Sequence, residues 1–348
     1  MDNDSGISAV PTLADVARLA DVSTATVSRC INTPGQVGEK TRKKVLKAVA
    51  DLGYAPNFSA RALAAKYTNT IGAVIPTMEN AVFARGVQAF QEELGRHSKT
   101  LLIASSAYQQ ALEEEQVRTL VARGADALLL IGYDRHQSLY DFLNKRKVPT
   151  LVAWSYEKTQ PQAAIGFDNR AAMAELARLV LRYGHRNIAC ISAPTAMNDR
   201  ARGRVQGIEL AMSEAGLDPA ELHVTEAAYG IETGEIAFRQ TLSAAPETTA
   251  VMCGNDVLAI GALRAAREMG LRVPEDISIT GFDDIEIAML AEPALTTVHV
   301  PHREMGRRAA RMLIQALQDE TALPSALLTT DIRLRQSLGP APGTAPHS

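Results

Sequence analysis

Cysteine is scarce in this chain of 348 residues, and long apolar runs are absent. The three cysteines lie far apart and form no CxxC pair, which argues against a zinc site or a disulfide framework and suits a reducing cytoplasm. The longest apolar runs, such as ADALLLIG at 125–132, fall far short of the ~18 residues that a membrane-spanning helix needs. The acidic, polar N-terminus lacks the features of a secretion signal. We therefore expect a cytoplasmic protein.

Motifs that bind nucleotides or activate a nucleophile are missing as well. No GxGxxG follows the first apolar run, and neither GxxxxGK[ST] nor GxSxG occurs. The histidines form no ligand pairs, apart from His299 and His302 around Pro301. We therefore predict that the protein is not an enzyme and holds no cofactor and no metal.

Charge is divided unevenly along the chain. Residues 1–70 carry nine Lys and Arg against six Asp and Glu, whereas the remainder carries 27 against 33. Five cations fall within eight residues of the N-terminal part: Lys40, Arg42, Lys43, Lys44 and Lys47. A small basic domain beside a larger acidic one is the division that nucleic-acid binding predicts.

Three short helices are predicted before residue 54. Thr12 can cap the first helix, with Asp15 at its positive end, and Ser23 can cap the second. The third covers roughly 39–52 and ends at Gly53. The spacing of the apolar residues predicts that one set of side chains points inward: Leu13, Val16, Ala17, Ala20, Val27, Ile31, Val45, Leu46, Val49 and Leu52. Three helices with a tight turn between the first two predict a helix-turn-helix.

The second helix is small and polar, which a surface facing DNA explains. By position Thr24, Ala25 and Arg29 point outward and are predicted to meet base edges, because Arg can donate two bonds to guanine and small methyl groups can contact thymine. Thr26, Ser28 and Asn32 are assigned to phosphates, and the two capping residues Thr12 and Ser23 are also predicted DNA contacts. A three-helix cap with a polar surface is the alternative.

The segments TLADVARLADVSTATVSRCIN and TRKKVLKAVADLGYAPNFSARALAAK resemble the lactose/galactose repressor family of bacterial regulators. The resemblance continues to about residue 337. It implies a helix-turn-helix domain at 1–55, a hinge helix and linker at 56–69, and a two-lobed effector-binding and dimerisation domain at 70–337. The remaining residues, 338–348, are rich in Pro and Gly and are predicted to form a flexible tail.

The resemblance also implies how the hinge segment acts. In the family it folds on operator DNA, and a leucine from each copy opens a base step in the minor groove. The resemblance implies that Asn57, Ala60 and Leu63 contact DNA here. A linker leucine that packs on the next domain is the alternative for Leu63.

Ten apolar runs alternate with helical stretches after residue 69, at the spacing of a parallel α/β sheet. They begin at residues 70, 100, 125, 149, 163, 186, 223, 249, 276 and 295. A division near 161–184 gives two groups of about five strands and so two lobes. The predicted fold is an all-α N-terminal domain plus an α/β, two-lobed domain that resembles periplasmic binding proteins.

Ligands of such folds lie at the carboxyl ends of strands, in the cleft between lobes. Polar and aromatic side chains near these ends are the predicted effector contacts: Asn80, Phe83, Trp154, Asp168, Arg200, Arg204, Asn255, Asp256 and Asp283. Carboxylates and amides bind adjacent hydroxyls, Arg binds a carboxylate or hydroxyl, and an aromatic ring stacks on a sugar. Helix caps, turns, core packing and a surface ion pair are the alternatives. The resemblance matches Arg204, Asn255 and Asp283 to effector contacts most directly.

These features predict a dimeric, DNA-binding repressor of a carbohydrate or sugar-acid operon. A near-palindromic operator requires a two-fold dimer, and the tail has no leucine heptads for further association. Paired arginines at 200 and 204 favour a sugar acid, and GFDN and VFARG resemble the gluconate-repressor branch. A corepressor response, a sugar-processing enzyme and a non-regulatory sugar-binding protein remain the alternatives.

Overall fold

The structure, a computed structural model, describes residues 10–55, 67–79 and 81–343. The predicted contacts Asn57, Ala60, Leu63 and Asn80 lie outside these ranges. The chain divides into two compact units, Met1–Thr68 and Asn69–Ser348. Within the described ranges, no helix has the length and apolar character to cross a membrane.

The first unit contains the three predicted helices: α1 (Leu13–Ala20), α2 (Thr24–Asn32) and α3 (Glu39–Leu52). Thr12 and Asp15 form a reciprocal cap, because each backbone N–H donates to the other side chain, at 2.9 Å and 3.3 Å. Ser23 Oγ accepts from the N–H of Thr26 at 3.2 Å. Gly53 ends α3 with a φ of 62°, a left-handed conformation that favours glycine. The helix starts therefore follow the capping signals.

The core of this unit is small and lies where the three helices meet. Val16, Val27 and Val45 are fully buried, joined by alanines and Cys30. Leu46 is 46% exposed, so the prediction that it points inward was wrong. Ala48 is buried in its place, because it lies three residues from Val45 on the same helix face.

The second unit has two lobes built on parallel sheets. The strands are β1 (Thr70–Ile75), β2 (Thr100–Ser105), β3 (Ala127–Ile131), β4 (Thr150–Ala153), β5 (Ala164–Gly166), β6 (Ile188–Ser192), β7 (His223–Glu226), β8 (Ala250–Cys253), β9 (Ser278–Thr280), β10 (Thr297–His299), β11 (Ala326–Leu327) and β12 (Asp331–Arg333). The first sheet has the strand order β11-β5-β4-β3-β1-β2, and the second has β7-β6-β8-β9. A separate antiparallel pair joins β10 to β12.

Helices cover these sheets. They are α4 (Ala81–Arg96), α5 (Gln110–Ala122), α6 (Gln137–Arg146), α7 (Asn169–Arg182), α8 (Asp199–Glu214), α9 (Ile231–Ala244), α10 (Asp256–Glu268), α11 (Glu286–Leu290) and α12 (His302–Asp319). The α/β fold with parallel sheets is confirmed, and each predicted run contains a strand. The predicted two lobes are confirmed: β1–β5 lie in the first sheet and β6–β9 in the second, whereas β10 pairs with β12 outside both. The short strands β11 and β12 gave no apolar run to find.

The chain passes between the lobes at three places in the described residues, near 167–169, 299–302 and 328–331. At the second crossing α12 returns to the first lobe and packs on α4. A Cβ on Gly306 would come within 2.0 Å of the Gly86 carbonyl oxygen, so these helices need glycine to approach this closely.

The start of the predicted flexible tail belongs to the second lobe. The N–H of Gly339 donates to Ser278 Oγ at 3.1 Å, and its carbonyl lies 3.0 Å from His185 Nε2. The N–H of Ala341 donates to the Tyr183 carbonyl at 2.8 Å. A loose tail from residue 338 was therefore wrong for the residues up to 341, which are held by backbone hydrogen bonds.

Candidate DNA-binding helix and effector cleft

One face of α2 is buried and the opposite face is exposed. Val27 faces the core, whereas Thr24, Ala25 and Arg29 are exposed. Three side chains of different chemistry thus share an accessible helix face: a hydroxyl, a methyl group and a guanidinium. This arrangement suits contacts with base edges in a major groove.

Several of the other predicted DNA contacts have further roles within the unit. Thr12 and Ser23 are helix caps, and the Thr26 hydroxyl lies 2.9 Å from the Ser23 hydroxyl. Ser28 is half-buried and Asn32 is the last residue of α2. Thr12 and Ser23 therefore also fix the starts of α1 and α2.

Helix α3 carries the basic cluster on its surface. Lys43 pairs with Glu39 at 2.8 Å and Lys47 pairs with Asp51 at 2.7 Å. Exposed pairs of this kind contribute between 0 and about 1 kcal/mol, so they hold their cations only weakly. The lysines can exchange these partners for phosphate oxygens.

A cleft of about 600 Å³ lies between the two lobes of the second unit. Its walls follow the carboxyl ends of β1 and β2 in the first lobe and of β6, β7 and β8 in the second. The lining residues are Thr77, Glu79, Ala107, Tyr108, Ala193, Pro194, Ala196, Met197, Asn198, Ala228, Tyr229 and Val257. This position agrees with the predicted location of a ligand site.

Two tyrosines meet across the cleft. Tyr108 follows β2 and Tyr229 follows β7, and their ring centroids are 5.9 Å apart. Burial raises the pKa of Tyr229, so this phenol keeps its proton and can donate a hydrogen bond. Neither tyrosine is among the predicted contacts, although each stands within three residues after a strand, which is the signal used for the other candidates.

Neither Arg204 nor Asp283 lines the cleft itself. The two lie near its tyrosines, close enough for their charges to act on the pKa of both phenols, and we call this buried pair the base of the cleft. The Arg204 guanidinium lies 3.7 Å over the Phe282 ring. Its Nε donates to Asn169 Oδ1 at 2.9 Å, and its Nη1 donates to the Gly254 carbonyl. The guanidinium is therefore held in one orientation.

Asp283 is the unusual member of this pair. It is 2% exposed, and its Oδ1 lies 3.5 Å from Arg204 Nη2, too far for a strong hydrogen bond. This oxygen has no hydrogen-bond partner among the described residues. Burial raises the pKa of Asp283 to about 6 against the opposing charges of Arg204 and Arg200. The carboxylate is thus a buried acceptor whose charge is lost under mildly acidic conditions.

Arg200 is buried beside Tyr108, where both line a small extension of the cleft. Its Nη1 donates to Asp199 Oδ1 at 3.1 Å, and the other oxygen of Asp199 accepts from the N–H of Tyr133 at 3.1 Å. A surface ion pair, the alternative for Arg200, is wrong, because the pair is buried between the lobes. Each arginine of the predicted pair therefore faces a carboxylate of its own.

Three predicted contacts serve the fold instead. Asn255 caps α10 through the N–H of Leu258, and the exposed Asp168 caps α7. Both oxygens of Asp256 accept hydrogen bonds, from the N–H of Ile285 and from the Thr297 hydroxyl. Asn255 and Asp168 thus act as helix caps, Asp256 binds two groups of the second lobe, and none of the three lines the cleft.

Phe83 and Trp154 are also placed away from the cleft. Their rings meet edge to face at 5.5 Å, and Trp154 is 1% exposed. The indole packs against Gly86 of α4 and its Nε1 donates to His302 Nδ1 at 3.1 Å. Both rings are buried, as in the core-packing alternative, which had placed them between the lobes.

The two histidines around Pro301 turn to different partners. His299 Nδ1 lies 2.8 Å from Asp284 Oδ2, whereas His302 contacts Trp154. Over the ranges that the structure describes, no group of three or more His, Cys, Asp or Glu could hold a metal ion.

Family models match both units. Residues 12–57 match the model described as bacterial regulatory proteins, lacI family, and residues 177–338 match the model of a periplasmic binding protein-like domain. The two matches agree with the helical unit and with the second half of the two-lobed unit.

Relatives cover almost the whole chain. Catabolite control protein A of Priestia megaterium is 31% identical over 327 residues, which are 94% of this chain and 98% of the relative. The lac repressor dimer bound to operator and the anti-inducer ONPF has a TM-score of 0.83 and 27% identity. A complex of the transcriptional regulator CelR with cellobiose has a TM-score of 0.69 and 31% identity. In both structures the similarity covers 94% of this chain and 99% of the other.

Proposed function

Since the chain belongs to the lacI family and is a transcriptional repressor with an effector-binding domain, we propose that it represses a carbohydrate-utilisation operon and is released from its operator by a sugar. It acts as a dimer that binds operator DNA, and its relatives are regulators rather than enzymes. Action on chromosomal DNA would place it in the cytoplasm. The observation that carries the proposal is the buried, unpartnered oxygen of Asp283 beside the Arg204 guanidinium.

The chemistry of this pair suits adjacent hydroxyl groups. One hydroxyl can donate to Asp283 while its neighbour accepts from Arg204, and Tyr229 supplies a further donor. A cleft of about 600 Å³ has the size of a small-molecule site. Arg200 faces Asp199 and Arg204 faces Asp283, so a carboxylate of the protein already balances the charge of each arginine. The site therefore favours a neutral sugar over a sugar acid.

The buried position of Asp283 implies movement of the lobes. A ligand reaches its oxygen only when the cleft opens, and closure around the ligand then buries the new hydrogen bonds. The effector can release the operator only to the extent that it binds the released state more tightly than the DNA-bound state.

The DNA contacts proposed from the sequence are those of α2 and the hinge. Thr24, Ala25 and Arg29 would read base edges, and Leu63 of each protomer would enter the minor groove. Because the proposed hinge helix would form on DNA and connect the two units in the chain, the state of the effector cleft would alter operator affinity.

Operator binding by the purified dimer tests this function. The DNA is the region upstream of its own gene, the salt concentration is fixed because phosphate contacts depend on it steeply, and the compounds are D-glucose, D-ribose, D-gluconate and hypoxanthine. We expect release by a neutral sugar. Release from the operator by D-gluconate alone would contradict the preference for a neutral sugar. Tighter operator binding in the presence of a compound would contradict the proposal that the effector is an inducer. Operator binding that no compound alters would contradict the sugar proposal.

A further inference from the structure

A closed ring of contacts links the base of the cleft to the crossing between the lobes. From Asp283 it passes through Arg204 to Asn169, whose Nδ2 donates to the Trp154 carbonyl at 3.1 Å. The Trp154 indole donates to His302 Nδ1 at 3.1 Å, and His302 Nε2 lies 3.2 Å from the Asp283 carbonyl. The ring therefore contains side chains from both lobes.

The partners of His302 fix its tautomer. An indole N–H can only donate, so His302 Nδ1 accepts, and a carbonyl can only accept, so His302 Nε2 carries the proton and donates to Asp283. Burial lowers the pKa of His302 to about 3, and the imidazole stays neutral near pH 7. One neutral ring thus joins a donor in the first lobe to an acceptor in the second.

Asp283 needs such support because its backbone is strained. Its φ is 107°, in a region that residues other than glycine rarely occupy and leave unless their surroundings hold them. Its N–H donates to the Val298 carbonyl at 2.9 Å, and its carbonyl accepts from His302. These hydrogen bonds, together with the parallel bridge between Asp283 and His299, hold the peptides on both sides of Asp283, and so they aim the carboxylate toward Arg204.

We propose that His302 is a positioning residue of the effector site, which holds the Asp283 backbone so that its carboxylate faces the ligand. This role rests on the proposed effector site, since His302 itself does not line the cleft. Through Trp154 the same imidazole ties that orientation to the first lobe. Opening of the lobes that separates Trp154 from Asp283 would release the carboxylate from its binding orientation.

Two variants separate the two hydrogen bonds of His302. His302→Gln places an amide near the position of Nε2, so it can still donate to Asp283 but leaves the indole without an acceptor. His302→Asn places its amide near Nδ1, so it keeps the indole contact and loses the bond to Asp283. Far-ultraviolet circular dichroism and the elution volume of the dimer check that both variants fold.

Calorimetric titration with D-glucose, D-ribose, D-gluconate and hypoxanthine measures the effect on binding. For a compound that binds the wild type, we expect affinity to fall at least tenfold in His302→Asn and less than threefold in His302→Gln. Trp154 is the single tryptophan, so its emission should shift more in His302→Gln than in His302→Asn. Unchanged affinity in His302→Asn, or equal losses in both folded variants, would overturn the proposal.

Crystal structures of the ligand-free variants separate this proposal from that of the sugar effector. We expect Asp283 to leave its positive φ and turn from Arg204 in His302→Asn, and to keep both features in His302→Gln. If none of the compounds binds the wild type, the proposed effector class fails, while these structures still decide the role of His302. An Asp283 that is unchanged in both variants, or displaced in both, would refute it.

Discussion

The DNA-facing side of α2 and the base of the effector cleft use polar side chains in opposite ways. On α2, Thr24 and Arg29 are exposed and take no part in the core. At the base of the cleft, Arg204 is 5% exposed, lies against Phe282 and is hydrogen-bonded to two other segments of the chain. A side chain of the first kind can be removed at a cost to binding alone. One of the second kind contributes to binding and to stability together.

Replacement of Arg204 by Met should have the largest effect. It leaves the buried Asp283 carboxylate without its cation, which costs about 3 kcal/mol of unfolding free energy, and it removes the proposed effector contact. Urea unfolding and effector titration measure the two losses.

Arg178→Met is the matched control for this variant, because Arg178 pairs with Glu214 on the surface of α7 and α8. It should cost less than about 1 kcal/mol and leave the effector response intact. Equal destabilisation of the two variants would remove the distinction between the regions.

Replacement of Arg29 by Ala tests the exposed side of α2, where we expect a loss of DNA binding without a loss of stability. We expect operator affinity to fall by about 1–3 kcal/mol, because a base contact is lost, with no change in the unfolding free energy. Affinity for a scrambled DNA duplex should change little.

The control is Lys47→Ala, which removes a cation that pairs with Asp51 on α3. It should weaken binding to operator and scrambled DNA alike, because phosphate contacts carry no sequence information. Equal loss of affinity for both duplexes in Arg29→Ala would contradict base recognition by α2.

The two regions also differ in how far the sequence predicts them. Helix caps and apolar spacing are local signals, so Thr12, Ser23 and the exposed face of α2 could be predicted from a few neighbouring residues. The strands that carry the cleft followed from their apolar runs in the same way. The short strand β12 could not be found, because it is defined by pairing with β10, some 30 residues earlier.

The roles of the polar residues in the second unit depend on distant partners. Trp154 and Asp256 stand at strand ends just as Tyr108 and Tyr229 do, yet Trp154 bonds to His302 and Asp256 bonds to Thr297. No local pattern separates those that face the cleft from those that fill the core. Position at a strand end therefore predicts a set of candidates, and packing selects among them.

The pH dependence of effector binding should show whether the buried Asp283 takes part in ligand binding. The pKa of Asp283 is raised to about 6, so the carboxylate that we propose accepts the ligand hydroxyl is mostly protonated at pH 5. Affinity should therefore fall about tenfold from pH 7.5 to pH 5, because binding selects the ionised form. Asp283→Asn should bind more weakly and show no such change over this range. A wild-type affinity that does not vary with pH would mean that the ligand does not use this carboxylate.

The smallest effect is expected at the rim of the cleft, where Arg202 of α8 donates to both oxygens of Asp134, in the first lobe, at 2.9 Å and 2.8 Å. Arg202 is 39% exposed, so solvent weakens this pair, and a double-mutant cycle of Arg202→Gln and Asp134→Asn should give a coupling below about 1 kcal/mol. Because the pair joins the lobes, the coupling should appear in effector affinity and diminish at high salt. A coupling in unfolding free energy with none in effector affinity would show that the rim stabilises the fold without favouring closure. Only the polar contacts at the base of the cleft would then contribute to both effector binding and stability.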